Sequence, residues 1–137
     1  MPEGRKSYVV LRRDGLLLRT KPITRLEAWW LFWEAYSAPF IGREARVRYL
    51  EEYGNVLDVY DYLERLWRLD RDLYYGVLGV YEDPEEFAEK ANGMLGRGDL
   101  QPEARQAVEE LLSKAGEFLA RPVEPKPIGP RPVRYYE

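Results

Sequence analysis

The chain of 137 residues contains neither cysteine nor histidine. Without cysteine it has no disulfide, no thiolate metal ligand and no cysteine nucleophile. Without histidine it lacks the side chain that serves most often as a general base and as a metal ligand. Any catalysis would rest on carboxylates, tyrosines and lysines, and no group of these residues forms a catalytic motif. We therefore predict a protein that is not an enzyme, with no catalytic residues, no cofactor and no metal.

Long apolar runs are also missing. No segment approaches the roughly 20 apolar residues that span a bilayer, and the first six residues lead into no signal-peptide core. These absences predict a soluble, cytoplasmic protein without a membrane partner, located in the host cytoplasm if it is viral. Lysine is scarce as well, with 5 lysines against 16 arginines. A thermophilic host or a GC-rich genome would each produce this bias, and we favour a thermophile.

The formal net charge of −3 hides a strong segregation along the chain. Residues 1–50 carry a net charge of +5, residues 51–120 a net charge of −10, and residues 121–137 a net charge of +2. This pattern is typical of a molecule that presents opposite fields to different partners, or whose own parts pair electrostatically. Solvated acidic helix faces would give the same pattern.

Three of the four tryptophans lie within residues 29–33, together with Phe32. At about 100° per residue, these positions cover most of the circumference of a helix, so one buried face cannot hold them all. The helix either packs against other elements on several sides or exposes part of its surface, which a partner can bind. Trp29, Trp30 and Trp33 are therefore candidate partner-binding residues, and the sequence does not show which of them faces solvent.

Two segments are predicted as β-structure. Residues 7–11 and 16–19 flank Asp14-Gly15, a dipeptide that favours a β-hairpin with a type I′ turn. Arg12, Arg13 and Arg19 are then candidate exposed contacts on this hairpin. Residues 73–81 are rich in aromatic and β-branched side chains and are predicted as a central strand. With the hairpin, this strand gives a small antiparallel or mixed sheet of about three strands.

About five helices are expected around this sheet. Thr24 and Glu27 have the spacing of a capping box, which predicts a first helix from about Arg25 to Ser37. Asp83 followed by a proline predicts another helix start. The predicted helices cover residues 25–37, residues 42–54, a segment capped by Asn55 that ends near Asp70, residues 84–93 and residues 102–120.

The prediction is thus an α+β fold with a single globular domain in residues 1–120 and an extended arm in residues 121–137. The arm contains five prolines and favours polyproline II, which excludes regular helix or sheet. It either reaches across a partner, straps its own domain or forms a disordered end. In the first case its contact residues are expected to be Arg131, Arg134, Tyr135 and Tyr136.

The hairpin and aromatic helix at the front, the acidic middle and the proline-, arginine- and tyrosine-rich end together resemble small regulatory proteins of phages that infect thermophilic bacteria. Such proteins bind the host RNA polymerase and inhibit or redirect transcription. The resemblance implies binding near the polymerase flap and the promoter-recognition factor, without enzymatic activity. It assigns no individual functional residues.

Two other functions stay open. A structural protein of a virion or filament from a thermophile virus would use the arm and the aromatic helix for contacts between copies, as a homo-oligomer. A nucleic-acid-binding module would use the basic hairpin, in a comparison with winged-helix domains. Nucleic acid is the less favoured partner, because the hairpin precedes the helices and the predicted third helix is acidic.

Overall fold

The computed structural model describes residues 4–37 and 42–124. Within this part of the chain it contains a four-stranded antiparallel sheet and six helices, so the predicted α+β class is confirmed with one more strand and one more helix than expected. The spatial order of the strands is β3-β2-β1-β4. The strands are β1 (Val9–Leu11), β2 (Leu16–Thr20), β3 (Gly54–Asp58) and β4 (Gly79–Tyr81).

Two helices begin at the capping residues predicted from the sequence. The Glu27 N–H donates to Thr24 Oγ1 at 3.2 Å, and the Thr24 N–H donates to Glu27 Oε1 at 3.1 Å, so the predicted capping box is confirmed. The Asp83 carboxylate caps another helix, also as predicted. The helices are α1 (Arg25–Ser37), α2 (Arg43–Leu50), α3 (Tyr60–Leu69), α4 (Arg71–Val77), α5 (Pro84–Leu95) and α6 (Pro102–Leu119).

Helices cover both faces of the sheet. Alternate residues of β1 point to opposite sides: Val9 and Leu11 pack among residues of α3 to α6, whereas Val10 packs with residues of α1 and α2. In β2 the same alternation places Leu17 on the first side and Leu18 on the second. Because β1 and β2 are buried on both faces, their sequences are almost continuously apolar.

The predicted hairpin is confirmed, but its turn is not type I′. The Gly15 N–H donates to the Arg12 carbonyl at 3.0 Å, and Gly15 has a φ of +88°, whereas no described residue other than glycine has a positive φ. A type I′ turn would need a positive φ at Asp14 too. The loop closes on a left-handed glycine instead, and the Asp14 carboxylate accepts the Leu16 N–H at 3.3 Å. A Cβ at Gly15 would lie 2.7 Å from the Cα of Tyr60, so this close approach also requires glycine.

Residues 54–58 form β3, and the prediction that Asn55 caps a helix there is wrong. Val56 lies opposite Leu18 in the antiparallel pairing with β2. Gly54 has a φ of +152°, and a Cβ there would lie 2.1 Å from the carbonyl oxygen of Arg19. The apolar spacing of this segment fits a strand as well as a helix, and the pairing with β2 decides between them. The helix α3 therefore begins only at Tyr60.

Residues 73–81 were expected to form one strand, but only their last three residues do. The Leu73 N–H donates to the carboxylate of Asp70 at 3.2 Å, which caps the short helix α4. Leu73 and Val77, four residues apart, are both buried on the side of α4 that faces the core. Gly76 is accommodated in this helix where the side chain of Met94 packs against it, since a Cβ there would lie 2.1 Å from Met94 Cε.

Candidate protein-binding surface

Arg12, predicted as an exposed contact of the hairpin, is fully buried. Its guanidinium donates to Asp14 Oδ2 and Glu34 Oε1, both at 2.8 Å, and to the carbonyl of Leu31 at 2.9 Å. Although burial disfavours the charged form, the two carboxylates raise the pKa of Arg12 above its ordinary value. The prediction was wrong because neighbouring residues of a strand point to opposite sides. Arg12 turns inward and ties the hairpin to α1.

Residues of α2 extend this buried polar network. Arg46, which is also buried, lies 3.3 Å from Asp14 Oδ2 through its Nη1. The hydroxyl of Tyr49 donates to Glu34 Oε2 at 3.2 Å. Burial raises the pKa of this tyrosine, and the neighbouring Tyr53 and Glu34 add to the effect. The network therefore holds the hairpin, α1 and α2 in one arrangement.

Arg13, the next residue in the loop, points outward as predicted. Its Cζ lies 4.7 Å from the ring centre of Tyr36 on α1 and 5.9 Å from that of Tyr75 on α4. The hydroxyl of Tyr74 donates to the Arg13 carbonyl at 3.4 Å, which holds the loop backbone against α4. Arg13 therefore joins two aromatic side chains that come from opposite faces of the sheet.

These contacts belong to a continuous surface that we call the arginine–aromatic strip. Trp33 and Tyr36 have ring centres 5.1 Å apart, and Trp67 and Tyr75 have ring centres 6.2 Å apart in an edge-to-face arrangement. Arg71 Cζ lies 4.0 Å from the ring centre of Trp67. The strip consists of Trp33, Tyr36, Arg13, Tyr75, Trp67 and Arg71, in that spatial order.

The structure distinguishes the three tryptophans of α1. Trp29 is partly buried and packs against the core on the α1 side of the sheet, with its ring 5.7 Å from that of Phe32. Trp30 and Trp33 are 53% and 55% exposed. With Leu26, which is 75% exposed, they form a row at helical spacing on the outer face of α1. Trp33 belongs both to this row and to the strip.

Arg19 does not belong to this surface. It is only partly exposed, and its neighbours across the sheet are Val9 on β1 and Asn55 on β3. Its Nη1 is buried and has no hydrogen-bond acceptor among the described residues. The prediction of an exposed hairpin contact fails here because the alternation of β2 turns Arg19 toward the side covered by α3 to α6.

The beginning of the arm is attached to β3. The side-chain amide of Asn55 donates to the Pro122 carbonyl at 3.0 Å, and its oxygen accepts the Glu124 N–H at 3.2 Å. The Asn55 side chain thus donates one hydrogen bond to the arm backbone and accepts one from it, as the backbone of a neighbouring strand would. The predicted contact residues of the arm lie outside the described residues; they are Arg131, Arg134, Tyr135 and Tyr136.

A surface groove of about 710 Å³ lies between α3 and α6. An ion pair between Arg65 on α3 and Glu110 on α6 lies in it. A hydrogen bond from Arg65 holds the pKa of Glu110 below its usual value, so this carboxyl stays ionised and does not act as a proton donor near neutral pH. The groove thus shows charge pairing between helices and no feature of an acid catalyst at Glu110.

Four residues of the strip were not recognised in the sequence. Tyr36 follows Trp33 by three positions on the same helix, and this spacing alone would have identified it. Tyr75 was missed because residues 73–81 were predicted as a strand, and Arg71 lies between that strand and the third predicted helix. Trp67 lies in the third predicted helix, and its ring is partly buried and packs beside Tyr75.

Comparisons of the chain with protein-family models, curated protein sequences and solved structures found no match. Among the described residues, no group of three or more acidic side chains is arranged to hold a metal ion. None of the described helices is both long and apolar enough to cross a bilayer.

Proposed function

We propose that this protein is a non-enzymatic regulator that binds another protein through the arginine–aromatic strip. The observation that carries the proposal is the exposure of Trp33, Tyr36 and Tyr75 on one continuous surface. Tryptophan, tyrosine and arginine dominate the energetic centres of protein interfaces. Ring and cation contacts already restrict these side chains. Binding a partner would therefore cost them little additional side-chain entropy.

The proposed partner is bacterial RNA polymerase in a thermophilic host. This choice rests on the resemblance of the chain to phage regulators of transcription. The charge segregation supports binding to a large complex. The acidic residues 51–120 and the basic residues 1–50 would contact different regions of its surface.

An affinity pull-down from a thermophilic bacterial lysate tests this proposal, with bound proteins identified by mass spectrometry. The chain should recover polymerase subunits, and a Trp33→Ala/Tyr75→Ala variant should not. A Leu26→Ala variant is the matched control, because it removes an exposed apolar side chain outside the strip. Equal recovery by all three would refute the strip as the binding surface, and absence of polymerase subunits would refute the partner.

The row of Leu26, Trp30 and Trp33 favours assembly as a second candidate function. Exposed apolar side chains at helical spacing suit a symmetric contact between two copies of α1. Light scattering separates the two candidates: mass that increases with concentration, and that Trp30→Ala reduces, supports assembly. A monomer at all concentrations contradicts it.

A further inference from the structure

In place of ion pairs, the two arginines of the strip make contacts with aromatic rings. Neither Arg13 nor Arg71 makes an ion pair with any described residue, although both lie at the surface. By contrast, six described arginines pair with carboxylates, namely Arg12, Arg25, Arg46, Arg65, Arg68 and Arg97. The strip therefore presents two uncompensated positive charges on an aromatic surface.

The aromatic rings leave the hydrogen-bonding capacity of these arginines unused. The guanidinium carbon of Arg71 lies 4.0 Å from the ring centre of Trp67, and that of Arg13 lies 4.7 Å from the ring centre of Tyr36. A guanidinium that stacks on a ring keeps its N–H donors at its edge, in a planar fork that matches a carboxylate. The stacked arginine is also held in place before a partner arrives, so its binding costs less entropy.

We infer that the arginine–aromatic strip binds an acidic protein segment, whose carboxylates pair with Arg13 and Arg71 while its apolar side chains cover Trp33 and Tyr75. This inference rests on the proposed function and specifies the chemistry of the partner. Apolar coverage and charge pairing act together here, because excluding water from the strip strengthens each ion pair.

The charges around the strip favour a protein segment over a nucleic acid. Glu64 on α3 and Asp72 on α4 are exposed on the two helices that carry Trp67 and Arg71. Duplex DNA carries one negative charge for about every 1.7 Å of its axis. Such a uniform polyanion would meet these carboxylates, whereas a protein segment with a few acidic residues can place them at Arg13 and Arg71 alone.

A titration with poly-L-glutamate, followed by the indole N–H resonances of Trp33 and Trp67, tests the inference. The unaltered chain should bind poly-L-glutamate. An Arg13→Gln/Arg71→Gln variant should bind it more weakly, by a factor of at least about ten. A Lys90→Gln/Lys114→Gln variant is the matched control, since it makes the same change in net charge on α5 and α6 and should bind like the unaltered chain.

The inference is overturned if poly-L-glutamate does not shift the two resonances, or if the Arg13→Gln/Arg71→Gln variant binds it as tightly as the unaltered chain does. It is also overturned if a short oligothymidylate binds more tightly than poly-L-glutamate. Poly-L-lysine should leave both resonances in place, and a shift with it would also contradict the proposed charge preference.

The pull-down separates failure of this inference from failure of the proposed function. If Trp33→Ala/Tyr75→Ala loses the partner and Arg13→Gln/Arg71→Gln keeps it, the strip is a protein-binding surface but the carboxylate pairing is wrong. If both variants keep the partner, the proposed function at the strip fails. Loss of the partner from both variants supports the two statements together.

Discussion

Replacing Arg12 with methionine should destabilise the protein by about 3 kcal/mol. Methionine keeps the unbranched apolar stem of arginine but has no guanidinium and no charge, so it removes the hydrogen bonds of Arg12 to Asp14, Glu34 and Leu31. The two carboxylates then stay in a region where their side chains are only 18% and 15% exposed. The main cost is the partial burial of acidic groups that have lost their counterion.

The magnitude follows from the geometry. Breaking a fully buried ion pair by removing one partner costs about 3–5 kcal/mol. The lower end applies here, because Asp14 and Glu34 reach some solvent and Arg46 still lies 3.3 Å from Asp14 Oδ2. For a domain of this size, a loss of about 3 kcal/mol lowers Tm by roughly 10 °C.

Urea unfolding followed by far-ultraviolet circular dichroism measures this loss. An Arg13→Met variant is the matched control and should change the free energy of unfolding by less than about 0.5 kcal/mol, since Arg13 is exposed. An Arg12→Met/Glu34→Gln variant should recover part of the loss, because it also removes the Glu34 charge while Asp14 stays beside Arg46. A loss below about 1 kcal/mol for Arg12→Met, or no recovery in the double variant, would refute the reasoning.

Three further changes test local features of the fold by urea unfolding. Gly15→Ala should cost at least about 2 kcal/mol, because φ is +88° and a Cβ would lie 2.7 Å from the Cα of Tyr60; a neutral result would contradict the turn geometry. Burial raises the pKa of Tyr81, whose hydroxyl donates to the Val77 carbonyl at 2.6 Å. Its contribution to stability is therefore complete below its ordinary pKa of about 10 and is lost as the pH rises above that value. Tyr81→Phe should cost about 1 kcal/mol at pH 7 and flatten the loss at high pH, and an unchanged pH profile would contradict this. Asp83→Ala should cost about 1 kcal/mol through the lost cap of α5, while a loss near zero would show that proline alone starts this helix.

The sequence predicts the elements whose boundaries depend on local chemistry. The capping box of Thr24 and Glu27 and the acidic cap at Asp83 each act within a few residues, so their helix starts could be read directly. The hairpin was predictable for the same reason, although its turn type was not. The hairpin loop also makes contacts with α1, where Arg12 donates to the Leu31 carbonyl, and such contacts between distant residues cannot be read from the local sequence.

The errors fall where a short apolar segment fits two structures. Residues 54–58 carry a spacing that suits both a helix and a strand, and only the partner strand β2 distinguishes them. Residues 73–77 are rich in aromatic side chains, which favour a strand, and contain a glycine, which disfavours a helix. The cap at Asp70 and packing against Met94 nevertheless make them helical. Tertiary contacts outweigh propensity in both segments.

The candidate site was only partly predictable for a related reason. Helical geometry predicts that the three tryptophans of α1 cannot all be buried, and the exposure of Trp30 and Trp33 confirms this prediction. The strip itself joins α1, the hairpin loop, α3 and α4, which lie far apart in the sequence. Tyr36 and Tyr75 belong to one strip because each of them contacts Arg13 in the hairpin loop.

Arg12 and Arg13 place a buried charge and an exposed charge next to each other in one loop. Arg12 reaches inward to Glu34 and the Leu31 carbonyl, which fixes the loop to α1. On the other side, the Gly15 carbonyl accepts the Val59 N–H at 2.8 Å, and the Arg13 carbonyl accepts the hydroxyl of Tyr74. Because the loop backbone is held from both faces of the sheet, the outward side chain of Arg13 occupies a defined position between its two tyrosines. The buried charges thus stabilise the surface on which the exposed charge lies. We expect substitution of Arg12 to lower the free energy of unfolding and substitution of Arg13 to weaken the proposed binding.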